Sequence, residues 1–413
     1  MSLEPLPARE RFVSLDILRG IALLGVVIGN SALYSGRAFV GEPPNPTSLD
    51  KVAQYVGEIF VESKAQTLLC MLFGFGFAMQ LLRAERRDEP VMGIYVRRLV
   101  VLFAIGWAHV LLLWWGDVAW GYALGGFGLL VFHRASDRTR LVAAIVLTLV
   151  PVVIWQLPGM AQRALEVVMS PSDFGAAVDR IGQVIDNPSH AHLAWEHARF
   201  ALIWNAQIWS WYLFWIVGRF LLGYIAGRSR WFERDGAGHL PAFRKLLWWG
   251  LAAAALGTAQ IVARDLDVLP RVHGSAPLAI VYTVVGQLDY FGMAFVYVAG
   301  IVLLVQRPRW RRVLAVLSPV GRMPLTTYLS QSLVATFVFY HWGLGWAGSV
   351  GAAGCLGFSI ALFALQVAWS HLWLHYFKFG PLEWVWRWLV YLKRPAMRIG
   401  RDVDEAALDH YET

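Results

Sequence analysis

The chain has 413 residues, of which 57% are hydrophobic and only 15% are charged, and it contains 21 Trp. A soluble domain carries about 25% charged residues, so this composition excludes an ordinary soluble protein and predicts an integral membrane protein. The net charge of +8 does not indicate nucleic-acid binding, because the basic residues gather on alternate loops between apolar segments.

Ten apolar segments follow one another along the chain. A bilayer core of about 30 Å needs roughly 20 apolar residues for each helical crossing. The predicted spans are 15–34, 55–82, 95–115, 119–132, 141–157, 201–226, 246–263, 278–305, 323–341 and 351–376. Loops that are rich in Lys and Arg lie on the side of the N-terminus, at 83–87, 134–140, 228–245 and 307–312. Because cytoplasmic loops collect these residues, we predict an all-α polytopic membrane protein with about ten transmembrane helices and both termini in the cytoplasm.

The spans group into one predicted transmembrane domain, residues 1–377. Its longest outer loop, 158–200, mixes acidic residues with short apolar runs, and we expect one or two amphipathic helices there. A cytoplasmic tail, 378–413, is predicted to begin with an interfacial helix over 382–392 and to end in an acidic segment.

The first span carries Asp16, Arg19 and Asn30, which are costly side chains in lipid and therefore candidate functional residues. Eleven residues at 100° each bring Asn30 to within about 20° of Arg19, roughly 16 Å further along the helix axis. One face of this helix is thus predicted to be polar at both mouths.

The third span repeats this arrangement, because Arg98 and His109 are also eleven residues apart. His109 is expected about 9 Å below the outer turn that presents Asp117, and Tyr122 follows on the next span. A His beside a carboxylate is a plausible general base, since the acid holds one tautomer of the ring and stabilises its cation. The alternative is that His109 only makes a hydrogen bond in helix packing.

Lys64 and Gln66 stand at the outer entrance of the second span. They either bind substrate or anchor the helix at the membrane interface, with Lys64 extending toward water. Gly74 and Gly76 on the same span are interpreted as small-residue helix packing, because a phosphate-binding glycine loop would have to follow a strand.

The ninth span begins at a cytoplasmic turn that contains Arg322 and Pro324. Free backbone N–H groups at such a helix N-terminus favour an anion, so Arg322 predicts a site for a phosphate-bearing ligand. Thr327, Tyr328 and Gln331 continue a polar stripe inward, although hydroxyls in such positions also bond to their own helix. No group of His and Cys residues has a spacing that predicts a metal site.

Six motifs resemble, in order, those of the YeiB-like bacterial membrane proteins. They are RFVSLDILRGIALLG at 11–25, LFGFGF at 72–77, RRL at 97–99, the run from His109 through GDVAWGY at 116–122, GRMPLTTYLSQS at 321–332 and GPLEWVWR at 380–387. The resemblance covers almost the whole chain except the outer loop 158–200. The family is similar to the wider transmembrane acyltransferase superfamily.

The resemblance implies transfer of an acyl group from a cytoplasmic acyl-coenzyme A to an acceptor, a small molecule, glycan or lipid-linked sugar, at the outer face of a bacterial inner (plasma) membrane. The expected donor-binding residues are Arg19, Arg98, Arg322, Thr327 and Gln331, and the expected catalytic residues are His109, Asp117 and Asn30. The expected acceptor-binding residues are Asp16, Lys64, Gln66, Tyr122 and Tyr328. The type-three acyltransferases of this superfamily have a His where this chain has Asn30, so His109 is our candidate replacement for the missing base.

Two other functions fit the same residues. Polar groups at both mouths suit a transporter or flippase of an anionic or lipid-linked solute, although the chain has no evident inverted repeat. A membrane scaffold is the third alternative. Apart from the lipid bilayer no macromolecular partner is predicted, and a homodimer remains open.

Overall fold

A computed structural model of the chain describes residues 12–37, 46–87, 91–157, 190–229, 231–269 and 276–399, with the single residues 160 and 176. The predicted amphipathic helices of the outer loop lie almost entirely outside these residues, as does the acidic end of the tail, 400–413. Residues 190–200, which close the outer loop, form the start of a long helix.

The described residues fold as helices. The α-helices are α1 Val13–Tyr34, α2 Ser48–Val56, α3 Lys64–Arg87, α4 Val91–Leu112, α5 Ala119–Phe132, α6 Asp137–Trp155, α7 His190–Arg228, α8 Leu240–Asp265, α9 Ala276–Val305, α10 Pro308–Leu314, α11 Ser318–Arg322, α12 Pro324–Phe339, α13 Ala352–Tyr376 and α14 Pro381–Tyr391. A π-helix, Gly57–Val61, joins α2 to α3, and 3₁₀ turns occupy Glu233–His239 and Ala315–Leu317.

Seven helical segments of the described residues are long and apolar enough to cross a membrane, so the protein is an all-α polytopic membrane protein. They are Val13–Tyr34, Ser48–Leu82, Met92–Leu112, Asp137–Trp155, Glu233–Asp265, Ala276–Val305 and Ala352–Tyr376. The other three predicted spans coincide with α5, α7 and α12. The number of crossings and the side of each terminus stay predictions.

Two glycines, one on each helix, let α3 and α7 touch backbone to backbone. A Cβ atom at Gly74 would overlap the carbonyl oxygen of Phe220, and one at Gly223 would overlap that of Met71. The interpretation of Gly74 as a packing residue is therefore confirmed. The same interpretation is wrong for Gly76, because a Cβ atom there would meet nothing within 4 Å in the part of the chain that the structure describes.

The membrane segment formed by α2 and α3 is broken where the π-helix meets a turn at Ser63, whose φ is 59°. Two carbonyl groups freed by the π-helix bond to side chains instead. The Tyr297 hydroxyl donates to the Phe60 carbonyl at 2.5 Å, and the Lys64 ammonium donates to the Glu58 carbonyl. The break thus directs Lys64 into the bundle rather than into solvent.

The short helix α11 and the 3₁₀ turn before it pack against α1. Gly321 permits this, because a Cβ atom there would overlap the Asp16 carbonyl oxygen of α1. The contact sets Arg322, the last residue of α11, at the level of Asp16 and Arg19. The short helix α14 packs against α4 and α12, and the Arg97 side chain donates to the Val390 carbonyl at 2.9 Å.

Candidate functional site

His109 and Asp117 form a buried pair at the predicted outer end of α4. His109 Nδ1 lies 2.7 Å from Asp117 Oδ2, and both side chains are fully buried. Asp117 Oδ1 accepts the Trp120 backbone N–H at 3.2 Å, which fixes the carboxylate at the start of α5. With Nδ1 facing the acid, Nε2 is the nitrogen that can accept a proton. Among the described residues, Nε2 has no hydrogen-bond partner.

Two glycines make the geometry of this pair possible. A Cβ atom at Gly106, one turn before His109, would overlap the backbone of Trp120 and lie 2.9 Å from Asp117 Oδ1. A Cβ atom at Gly116 would lie 2.5 Å from the Trp114 ring, so the turn before Asp117 also requires glycine. The sequence thus allows α5 to start directly against α4 and brings the acid to the His.

Tyr328 of α12 lies beside the pair. Its ring centroid is 5.5 Å from that of His109, and its hydroxyl accepts the Val118 backbone N–H at 3.3 Å. Asn30 is further away. It hydrogen-bonds to Tyr34, whose ring lies 4.3 Å from Trp114, and the Trp114 ring lies 6.4 Å from that of His109.

A cavity of about 520 Å³ reaches this region from the predicted cytoplasmic side. Five cationic and two acidic side chains line it: Arg19, Arg98, Arg322, Lys378, Arg387, Asp16 and Glu383. Its other lining includes Leu23, Leu69, Phe73, Phe77, Leu99, Leu102, Val118, Tyr122 and Tyr328. The cavity therefore joins a basic mouth to an apolar interior that ends near Asp117 and His109.

The positive charges of the mouth are held in place by neighbours. Arg19 pairs with Asp16 at 2.7 Å, and the Arg98 guanidinium lies 4.4 Å from the centroid of the Trp386 ring. Arg387 similarly lies over Phe379 at 4.5 Å. With five cations against two carboxylates, the mouth has an excess of positive charge and suits a phosphate group.

Glu383 fastens α14 to the start of α12. Its Oε1 atom accepts the backbone N–H groups of Leu325 at 2.6 Å and Thr326 at 3.1 Å. Its Oε2 atom accepts the Thr326 hydroxyl at 2.6 Å. Burial raises the pKa of the Glu383 carboxyl, and these hydrogen bonds oppose that rise. The carboxylate thus satisfies N–H groups that a helix N-terminus leaves open, and it holds α14 at the mouth.

Thr327 and Gln331 were expected to bind the donor, but their contacts belong to helix packing. Gln331 Nε2 donates to the Leu23 carbonyl at 3.2 Å and to Gln366 Oε1 at 3.1 Å. Gln366 Nε2 donates to the Thr327 carbonyl at 3.0 Å. Among the described residues, neither Thr327 nor Gln331 is part of the cavity wall, so their role in donor binding gains no support.

The residues expected to bind the acceptor fall into two places. Asp16, Tyr122 and Tyr328 line the cavity. Lys64 and Gln66 instead belong to a separate buried cluster. Lys64 Nζ lies 2.9 Å from Asp289 Oδ2, both side chains are buried, and the Gln66 amide bonds to the Tyr212 hydroxyl.

The sequence analysis missed Asp289 and Arg219, the other charged members of this cluster. Arg219 is fully buried, donates to Thr67 Oγ1 at 3.0 Å and Gln287 Oε1 at 2.7 Å, and stacks on Trp215 with its guanidinium carbon 3.2 Å from the ring centroid. The available signal was an ionisable residue in the middle of an apolar span. Among the described residues, no group of three or more His, Cys, Asp or Glu side chains has the geometry to hold a metal ion.

The fold and this site define a polytopic membrane protein with a basic-mouthed cavity and a buried His–Asp pair beside Val118 and Tyr328 of its wall, although neither His109 nor Asp117 itself lines the cavity. Residues 226–393 match a family described as "Protein of unknown function (DUF418)". The chain is 31% identical over 414 residues to "Uncharacterized protein YxaH" of Bacillus subtilis, covering 95% of this chain and 97% of that protein. It is 29% identical over 410 residues to "Uncharacterized protein YeiB" of Escherichia coli, covering 92% and 96%.

The chain therefore belongs to the YeiB-like family of membrane proteins. No solved structure matches it. The matched family segment includes Arg322, Tyr328 and Glu383, whereas His109 and Asp117 lie before it.

Proposed function

We propose that this protein is an acyltransferase of the bacterial plasma membrane, which moves an acyl group from cytoplasmic acyl-coenzyme A to an acceptor at the outer face. The observation that carries the proposal is the cavity that joins the basic mouth to Tyr328, beside His109 and Asp117. The Lys and Arg bias of the loops supports a cytoplasmic position of the mouth, where the donor is made.

The charges of the mouth support a donor that carries phosphates. Arg19, Arg98 and Arg322 lie on three different elements, so together they can surround one phosphorylated head group. The apolar interior then receives the arm that carries the thioester. This arrangement brings the acyl carbon toward Tyr122 and Tyr328, below the buried pair.

In this proposal His109 Nε2 removes the proton from a hydroxyl or amine of the acceptor. The acceptor atom then forms a bond to the thioester carbonyl carbon, and the carbon–sulfur bond breaks. The coenzyme A thiolate leaves and takes the proton from His109. Asp117 stabilises the histidinium. Asn30 bonds to Tyr34 and does not line the cavity, so the expected role of Asn30 as an oxyanion donor is left out of this proposal. General-base catalysis of this kind contributes about 10²- to 10⁴-fold.

The test uses the full-length protein in lipid nanodiscs and radiolabelled acetyl-coenzyme A. We expect saturable binding, which Arg322→Ala weakens and His109→Ala preserves. With bacterial membrane lipids and glycans supplied as acceptor, thiol release should occur in wild type and be lost in His109→Ala. His375→Ala, at an exposed position of α13, is the matched control. Absence of binding in wild type would refute the proposal.

Transport of an anionic or lipid-linked solute is the second candidate. The observation that favours it is the buried charge cluster of Lys64, Asp289 and Arg219, which the transfer reaction does not use. Ionisable groups inside a membrane domain often mark ion or solute pathways. Counterflow of a labelled solute in proteoliposomes, with no covalent product, would favour transport over acyl transfer.

A further inference from the structure

Two glycines of α3, one half-turn apart, have opposite surroundings. A Cβ atom at Gly74 would overlap the backbone of α7, whereas one at Gly76 would meet no atom of the described residues within 4 Å. Gly76 also lines the cavity. A side chain at position 76 would therefore begin in open space on the cavity wall.

The position of Gly76 along α3 shows which part of the cavity it governs. Lining residues of α3 run from Gln80 to Leu69, and eleven residues of helix span about 16 Å. Gly76 stands between these two limits, one turn inward from Gln80. Anything that extends inward along α3 from the level of Gln80 to Leu69 and Phe73 has to pass Gly76.

The chemistry of the cavity specifies the shape of a ligand. Its mouth has an excess of positive charge and suits a phosphate group, and its interior is lined mainly by Leu and Phe side chains. A ligand that fills both has a phosphorylated head and a linear, weakly polar arm. Coenzyme A and a lipid phosphate share this chemistry.

We propose that Gly76 is the specificity-determining residue for the donor, because its missing side chain leaves the passage for the linear pantetheine arm of coenzyme A. The inference deepens the proposed acyltransferase function and rests on it. The arm lies along α3, and its end reaches Tyr122 and Tyr328. A larger residue at position 76 excludes the arm while the mouth still binds the head group.

The test compares three probes by calorimetry on the full-length protein in nanodiscs: coenzyme A, adenosine 3′,5′-bisphosphate, which lacks the arm, and dodecyl phosphate. We expect Gly76→Leu to weaken coenzyme A binding by at least about tenfold and to leave the bisphosphate unchanged. Gly76→Ala should have a smaller effect on coenzyme A. Arg322→Ala should weaken all three probes.

Gly300→Leu is the matched control, since a Cβ atom at Gly300 of α9 also meets nothing within 4 Å and, among the described residues, Gly300 does not line the cavity. It should bind every probe as wild type does. Equal affinity of wild type and Gly76→Leu for coenzyme A would overturn the inference. If wild type binds dodecyl phosphate but no coenzyme A, the acyltransferase proposal fails, and a loss of dodecyl phosphate binding in Gly76→Leu still supports an arm that passes Gly76.

A second variant makes the test independent of how Leu is tolerated. Gly76→Cys places a thiol in the cavity, where a small maleimide should react with it, and acetyl-coenzyme A, which has no free thiol, should slow that reaction by at least about tenfold. The native thiols of Cys70 and Cys355 are buried, so wild type gives the background rate. Labelling of Gly76→Cys that acetyl-coenzyme A does not slow would contradict the inference.

Discussion

The Asp117 carboxylate holds His109 by a 2.7 Å contact to Nδ1, and both side chains are buried where water cannot replace either partner. The acid therefore fixes the tautomer of the ring and leaves Nε2 as the nitrogen that can accept a proton. We expect Asp117→Asn to keep the fold and donor affinity and to lower the rate of acyl transfer about 10²- to 10⁴-fold. Rates of thiol release at saturating donor check this.

Asp137→Asn is the control for this substitution, because Asp137 is an exposed residue at the start of α6. It should leave the rate unchanged. If Asp117→Asn transferred acyl groups as fast as wild type, the buried pair would have no part in proton transfer.

The Lys64–Asp289 pair predicts a strong coupling in stability. Removing one partner leaves the other charge buried and uncompensated, so we expect Asp289→Leu alone or Lys64→Met alone to cost about 3–5 kcal/mol. The double variant Lys64→Met, Asp289→Leu removes both charges and should recover most of that loss. Unfolding by denaturant in mixed micelles measures the cycle. Additive effects of the single substitutions would show that the pair does not act as a unit.

Glu383 predicts a pH dependence of stability. Burial raises the pKa of its carboxyl, so the folded protein binds this proton more tightly than the unfolded chain does. The contribution of Glu383 to the free energy of unfolding is therefore complete below about pH 4.3, the ordinary pKa of Glu. This contribution is lost as the pH rises from that value through the raised pKa of the folded protein. Thermal unfolding midpoints across this range should show the fall in wild type and not in Glu383→Gln. Glu85→Gln, at an exposed position, should keep the wild-type slope.

We expect α14 to contribute to donor binding through the contact of Trp386 with Arg98. Its ring holds the Arg98 guanidinium at 4.4 Å, and such a contact is worth about 0.5–2 kcal/mol. Trp386→Leu should weaken coenzyme A binding by roughly 2- to 30-fold, mostly at low salt, because Arg98 loses its fixed position. Trp388→Leu, two residues along α14 and more exposed, is the control. If Trp386→Leu and Trp388→Leu bound coenzyme A with equal affinity, Arg98 would not contribute to binding of the head group.

The sequence predicts the helical spans and part of the site because both depend on local spacing. The fixed rise of a helix brings His109 to the level of the turn with Asp117, as predicted. Arg19 of α1, Arg98 of α4 and Arg322 line one cavity, as also predicted. The hydrogen bond between Gln331 and Gln366 could not be predicted from spacing along the chain, because it depends on how α12 packs against α13. A polar residue on a helix does not reveal whether it faces a cavity or another polar residue.

The tail gives a second example of what local pattern leaves open. The Trp and basic residues after position 380 predict an interfacial helix. They do not predict that Glu383 caps α12, or that Lys378 and Arg387 line the mouth of the cavity. Those contacts connect residues more than fifty positions apart. The helix break before Lys64 also depends on a contact between distant residues, because the Tyr297 hydroxyl bonds to the Phe60 carbonyl there.

The close backbone contacts at Gly74 of α3 and Gly223 of α7 have a consequence for ligand entry. Because α3 and α7 meet without intervening side chains, moving them apart would break close backbone contacts, and we expect the α3 wall of the cavity to keep its position when a ligand enters. Trp386 and Arg387 of the short helix α14 line the same cavity. We therefore expect any widening of the cavity to occur on the side of α14.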